Sequence, residues 1–167
     1  MIINSGMRTD IPSFYSEWFM NRIREGKVLV RNPYFGEQVT EYELTPDKVD
    51  LLIFCTKDPA PMLKYIDELK DFNMFWFVTI TPYGKDIEPY VRDKQAILDS
   101  FMELSSKLGI RKVSWRYDPI LITDKYNLEK DVAHGLGRNI SILLDIKDDF
   151  VESGYVDTIK LYFRGRR

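Results

Sequence analysis

The sequence predicts an α/β fold with mostly parallel strands, arranged either as an open α/β sheet or as an incomplete (β/α) barrel. Short apolar runs alternate with segments of helical periodicity, which is typical of parallel sheets with right-handed crossovers. Polar and charged residues follow these runs at their C-terminal ends, where α/β folds build their sites. A complete (β/α)8 barrel needs about 250 residues, and this chain has 167. We therefore expect about five or six βα units rather than a closed barrel.

The composition indicates one globular domain over residues 1–167. Hydrophobic residues make up 44% of the chain, and 24 basic residues nearly balance 26 acidic ones. No strong net field favours nucleic acid or an anionic membrane as a partner. The first residues lack the pattern of a signal peptide, and no apolar run reaches the roughly 20 residues that span a bilayer. We expect a cytoplasmic protein, and we interpret the basic tail at 164–167 as a solvated terminus.

The first third of the chain predicts a strand, a helix and a hairpin. Residues 1–5 form a short apolar run, and residues 13–25 carry an apolar stripe at helical spacing that Gly26 ends. Residues 28–30 and 39–44 are two strand-like runs separated by a glycine-containing turn. We expect these two runs to pair as an antiparallel hairpin.

The stretch VDLLIFCTKDPAP at 49–61 provides the central strand. Four consecutive apolar residues, at 51–54, predict a strand that is covered on both faces. Two prolines end it, and Pro61 is suited to the first turn of a helix over 61–72. The next apolar run, at 74–80, predicts another buried strand.

The second half predicts the same alternation of helix and strand. The clearest helix covers residues 92–108, with Gly109 as its stop, and a strand follows at 112–117. Further along, a weaker helix is predicted at 127–136, and strand-like runs lie at 140–146 and 155–163.

Side chains at the ends of these strands are expected to converge, because parallel strands end at one edge of a sheet. They include several arginines, whose planar guanidinium groups suit a carboxylate or phosphate, and this predicts an anionic ligand. The alternative is a rim of structural ion pairs, Arg8–Asp10 and Arg116–Asp118. The set comprises Asn4, Arg8, Asp10, Arg31, Asn32, Cys55, Thr56, Lys57, Thr79, Thr81, Tyr83, Arg116, Asp118 and Asp145.

The single cysteine and the single histidine limit the chemistry of this chain. Cys55 precedes Lys57 by two residues, an arrangement that favours a reactive thiolate, although such a cysteine is more often a small buried apolar side chain. His134 has no second histidine to form a metal pair. One cysteine and one histidine exclude cysteine-zinc and cysteine-cluster sites built from this chain alone. No dinucleotide fingerprint, phosphate-loop lysine motif or serine elbow is present.

Five segments resemble a bacterial family of uncharacterised proteins, the domain of unknown function numbered eighteen-forty-eight. They are RTDIPSFYSEWFMNRIREG (8–26), VLVRNPY (28–34), FCTKDPAPM (54–62), FVTITPYGKDIEP (77–89) and WRYDPI (115–120). The resemblance covers about residues 1–131, and residues 132–167 diverge from it. It implies a TIM-barrel-like fold, and it places the family's motif positions on Arg8, Asp10, Arg31, Asn32, Cys55, Thr56, Lys57, Thr79, Thr81, Arg116 and Asp118.

The resemblance also implies chemistry that this chain does not carry. Family members have a C-terminal cysteine cluster similar to that of radical S-adenosylmethionine enzymes, which implies redox or radical reactions. This chain ends well short of the family's usual length and lacks the cluster. An iron–sulfur cluster and S-adenosylmethionine are therefore implied only for full-length relatives, and we expect no cofactor and no metal here.

Two functions remain open from the sequence. The first is an enzyme-like domain that binds a small anionic ligand at the strand ends. The second is a non-catalytic half-barrel that forms a homodimer or assembles with another chain, because an open barrel leaves two strand edges unpaired.

Overall fold

The computed structural model of the chain describes residues 1–126 except residues 82, 117, 120, 122 and 124. These residues belong to two compact units, one of Met1–Ile80 with Lys85–Asp118, the other containing Thr81–Gly84 and continuing from Pro119. The elements predicted at 127–136, 140–146 and 155–163 lie outside the described residues, as do His134 and Asp145.

The described part contains six strands and four α-helices in alternating order. They are β1 (Ile2–Asn4), α1 (Ile11–Phe14), α2 (Ser16–Glu25), β2 (Lys27–Arg31), β3 (Val39–Glu43), β4 (Leu51–Thr56), α3 (Ala60–Leu63), a 3-10 helix (Ile66–Leu69), β5 (Met74–Thr79), α4 (Lys94–Leu108) and β6 (Val113–Arg116). Among these helices, none combines the length and the apolar character needed to cross a membrane.

Four of the strands form one parallel sheet in the order β1-β4-β5-β6. Each pair is parallel, with Asn4 opposite Ile53, Thr56 opposite Val78, and Thr79 opposite Arg116. The predicted α/β class with parallel strands is therefore confirmed. Within the described residues the sheet does not close into a barrel, and β1 and β6 form its two edges.

The strands β2 and β3 form a separate antiparallel hairpin between β1 and β4 in the chain. This confirms the predicted hairpin. All five residues of β3 are exposed, so the hairpin contributes little to the core. Its first strand alternates between exposed and half-buried residues, as expected for a strand with one face against the protein.

The helices of the larger unit pack on one face of the sheet. Phe19 of α2 meets Phe54 edge-on, with ring centroids 5.5 Å apart, and Phe54 stacks on Trp76 at 4.2 Å. The alternate residues of β4, including Ile53 and Cys55, are only half-buried. The prediction that β4 is fully covered on both faces is therefore wrong. It failed because a continuous apolar run does not show which face of a strand the helices cover.

The helix predicted at 13–25 is two helices, separated at Tyr15. The backbone of Tyr15 has φ −133° and ψ 24°, which is not helical, and it is the residue after α1 and before α2. The predicted end of the second helix is correct, because Gly26 adopts the left-handed conformation with φ 72°.

The prediction of a single helix over residues 61–72 is also wrong. The chain instead makes one turn of α-helix, α3, followed by the 3-10 helix. Three of its apolar residues, Ile66, Leu69 and Phe72, are buried and recur every third position. This spacing matches the three residues per turn of a 3-10 helix rather than the α-helical period.

Candidate functional site

The turn after β1 is held against the C-terminal end of β4. The Ser5 N–H and hydroxyl both donate to the Ile53 carbonyl, at 2.9 and 3.1 Å. A Cβ on Gly6 would stand 2.7 Å from the Cβ of Cys55, so the turn can approach this closely only because Gly6 has no side chain. The exposed side chain of Arg8 follows. The first predicted cationic residue therefore lies just beyond a fixed turn.

Asp10 connects the start of α1 to the end of β4. Its Oδ1 accepts the Ser13 N–H at 3.0 Å, which caps the helix, and its Oδ2 accepts the Lys57 N–H at 2.7 Å. Both carboxylate oxygens therefore have backbone partners. The alternative ion pair between Asp10 and Arg8 is not formed in the described part of the chain.

Thr56 belongs to a buried group of hydrogen bonds. Its hydroxyl lies 3.0 Å from that of Ser13 and accepts the Asp58 N–H at 3.0 Å. The Ser13 hydroxyl also donates to the Asp58 carbonyl at 3.0 Å. Because a buried hydroxyl must be satisfied within the protein, these contacts give Thr56 a structural role.

The charged side chains after β4 are paired with the segment that precedes and begins α4. The Lys57 ammonium lies 2.5 Å from a carboxylate oxygen of Glu88, whose side chain is 9% exposed, and Lys94 contacts the other oxygen. Asp58 binds Arg92 through two contacts of 2.9 and 3.0 Å. The predicted ligand residue Lys57 is therefore part of an ion-pair cluster. Two partners were not predicted from the sequence: Glu88, which pairs with Lys57, and Arg92, which pairs with Asp58.

Arg31 and Asn32 differ in what surrounds them, although they are neighbours in the chain. Asn32 shapes the tip of the hairpin, because its Nδ2 donates to Gln38 at 2.8 Å and its Oδ1 accepts the Tyr34 N–H at 2.9 Å. Arg31 ends β2, and its side chain is exposed. Only Arg31 of this pair contributes to the pocket described next.

A pocket of about 490 Å³ is lined by residues from the end of β1, the two helices α1 and α2, and β2. Three arginines are among the described residues that line it, and no described aspartate or glutamate does so. Arg22 forms a bidentate ion pair with Glu25, each contact 2.7 Å. The guanidinium groups of Arg8 and Arg31 form no ion pair and no side-chain hydrogen bond with any described residue. The pocket therefore carries two cationic groups that the described residues leave uncompensated.

The other predicted site residues lie elsewhere. Thr79 and Arg116 are opposite one another on β5 and β6, and Arg116 pairs with Asp118, as the alternative of a structural rim expected. Cys55 is a free, half-buried cysteine opposite Phe77. Thr81 belongs to the second compact unit. The pocket thus brings together Asn4, Arg8 and Arg31 from the predicted set, and none of the other members that the structure describes lines it.

The apolar wall of the pocket was not predicted. It includes Tyr15, Trp18 and Leu29, and Trp18 is 47% exposed while Leu29 is 64% exposed. Trp18 belongs to the apolar stripe that the sequence predicts over residues 13–25, and hydrophobic periodicity does not separate a core residue from one that faces a cavity. The sequence carries no signal for the break at Tyr15, which sets where α2 begins.

The iron–sulfur cluster implied by the family resemblance does not fit the residues of this chain. Such clusters are held by several cysteine thiolates, and Cys55 is the one cysteine of the sequence.

Comparison with known proteins identifies one family. A family model described as "Domain of unknown function (DUF1848)" matches residues 2–163, which is nearly the whole chain. The match extends beyond residue 131, where the resemblance seen in the sequence segments ends. No curated protein matches the chain, and no solved structure matches it.

Proposed function

Since the chain belongs to the DUF1848 family, whose function is unknown, we propose a function from the pocket of this protein. The protein binds a small anionic ligand through Arg8 and Arg31. The observation that carries the proposal is that two guanidinium groups, uncompensated by any described residue, line a pocket to which the described part of the chain contributes no carboxylate. Arginine binds carboxylate and phosphate oxygens through parallel hydrogen bonds, so such a pair favours an anion.

The size and position of the pocket support a small-molecule ligand. Its volume of about 490 Å³ falls within the range of roughly 300–1,000 Å³ that small-molecule sites occupy. It adjoins the C-terminal end of β1, and α/β proteins place their sites at this end of parallel strands.

The lining favours binding over catalysis. Among the described residues that line it there is no histidine, cysteine, lysine, aspartate or glutamate, and these side chains most often act as acids, bases or nucleophiles. The proposal is therefore a binding function, with Arg8 and Arg31 as ligand-contacting residues.

Titration with inorganic phosphate tests this function. At constant ionic strength, we expect phosphate to shift the backbone amide NMR signals of residues 5–9 and 27–31. Arg8→Gln and Arg31→Gln should each weaken phosphate binding about fivefold, because an ion pair at an exposed site contributes up to about 1 kcal/mol.

Arg111→Gln is the matched control. Arg111 is also exposed, but it lies in the turn after α4 and does not line the pocket. Its substitution should leave phosphate binding unchanged. An equal loss in all three variants, or no response of the folded protein to phosphate, would contradict the proposal.

A second candidate function is self-association through the sheet edges. Within the described residues, β1 and β6 have a neighbour on one side only. Unpaired strand edges are templates for pairing with another chain, which supports a homodimer. We keep this candidate as a non-catalytic alternative, and its test is a measurement of mass in solution.

A further inference from the structure

We infer that the ligand of this pocket is an organic phosphate monoester with an apolar body, an inference that rests on the anion-binding function proposed above. The phosphate group of the ligand would lie at Arg8 and Arg31. The apolar body would lie along Tyr15, Trp18 and Leu29.

The apolar wall requires a ligand that is more than a free inorganic anion. Trp18 is 47% exposed and Leu29 is 64% exposed, and both line the same pocket as the two arginines. When a ligand covers large apolar side chains that are in contact with water, apolar surface is removed from water and binding becomes more favourable. An inorganic ion would leave this wall uncovered.

The charge of the pocket distinguishes a phosphate monoester from a carboxylate. Arg22 is neutralised by Glu25, so the pocket retains the two charges of Arg8 and Arg31. A phosphate monoester carries a charge of about −1.5 to −2 at neutral pH, whereas a carboxylate carries one negative charge. The monoester therefore compensates both guanidinium groups.

Four probe molecules test the phosphate group and the apolar body of the ligand separately. Phenyl phosphate has the aromatic body and the dianion, inorganic phosphate lacks the body, benzoate carries a single charge, and phenol is neutral. We expect phenyl phosphate to bind about tenfold more tightly than inorganic phosphate, because its ring removes apolar surface from water. Benzoate and phenol should both bind more weakly than phenyl phosphate. Calorimetry at constant ionic strength measures all four affinities.

Variants of the wall provide a second readout. Trp18→Ala and Leu29→Ser should each weaken phenyl phosphate about threefold to tenfold, and should weaken it by a larger factor than they weaken inorganic phosphate, which does not cover the wall. Tyr90→Ala is the control, because Tyr90 is an exposed aromatic residue that does not line the pocket, and it should change neither affinity. An equal loss for phenyl phosphate and inorganic phosphate in the wall variants would identify a general disturbance of the site and would count against the assigned role of the wall.

The outcomes separate this inference from the function on which it rests. Binding of inorganic phosphate with no preference for phenyl phosphate would overturn the apolar body alone. Benzoate binding as tightly as phenyl phosphate would overturn the phosphate monoester. No binding of any anion to the folded protein would overturn the anion-binding function itself.

Discussion

Gly6 is the residue at which the turn after β1 passes closest to β4. An added Cβ would stand 2.7 Å from Cys55 Cβ and 3.1 Å from the backbone nitrogen of Cys55, and backbone atoms cannot move aside cheaply. We expect Gly6→Ala to lower the free energy of unfolding by about 1–3 kcal/mol, as forced overpacking does. Urea denaturation measures this change.

Gly36 provides the control for this substitution. It lies in the hairpin turn, where an added Cβ would meet no atom within 4 Å. Gly36→Ala should therefore change the free energy of unfolding by less than about 0.5 kcal/mol. Equal effects of the two substitutions would show that the contact with Cys55 does not determine the cost at Gly6.

At single positions, the sequence indicated the candidate site only in part. Arg8 and Arg31 could be chosen because polar residues after apolar runs mark strand ends, and both line the pocket. Asp10 and Lys57 were chosen by the same rule, but each has structural partners in the folded chain. Which charged side chain finds a partner depends on tertiary contacts such as Lys57–Glu88, and local sequence does not contain them.

The helix α4 depends on its N-terminal cap. The Asp93 side chain accepts the Ala96 N–H at 3.2 Å, which satisfies one of the free donors of the first turn. We expect Asp93→Ala to lower the free energy of unfolding by about 1 kcal/mol, whereas Asp93→Asn should retain most of the stability because asparagine caps equally well. Urea denaturation of both variants compares them. A loss of similar size in Asp93→Asn would mean that the charge, and not the cap, is responsible.

Elements with strong local signals were predicted well, and elements fixed by packing were not. The hairpin and α4 were found because strand alternation, helical periodicity and glycine stops can be recognised in neighbouring residues of the sequence. The break at Tyr15 has no proline or glycine to mark it, so the prediction ran through it. The segment at 61–72 carried apolar residues that fit two helical periods, and the shorter period prevailed where Ile66, Leu69 and Phe72 are buried.

At the level of the sheet, the two edges that have one neighbour each within the described residues predict self-association. We expect light scattering to show a mass that rises with concentration toward about twice the 19.8 kDa of the chain. Ile2→Lys should shift the molecule toward the monomer, because Ile2 is an exposed residue of the edge strand β1 and lysines at sheet edges oppose pairing. Tyr90→Lys adds the same charge away from the sheet and should have no effect. A monomer at every concentration would remove this candidate function.

The β2–β3 hairpin is inserted between two adjacent strands of the sheet without joining their ladder. Its hydrogen bonds run between its own strands, while β1 pairs directly with β4. Its first strand nevertheless supplies Leu29 and Arg31 to the pocket. Substitutions within the hairpin can therefore change the lining of the pocket while the hydrogen-bonded ladder between β1 and β4 stays as it is.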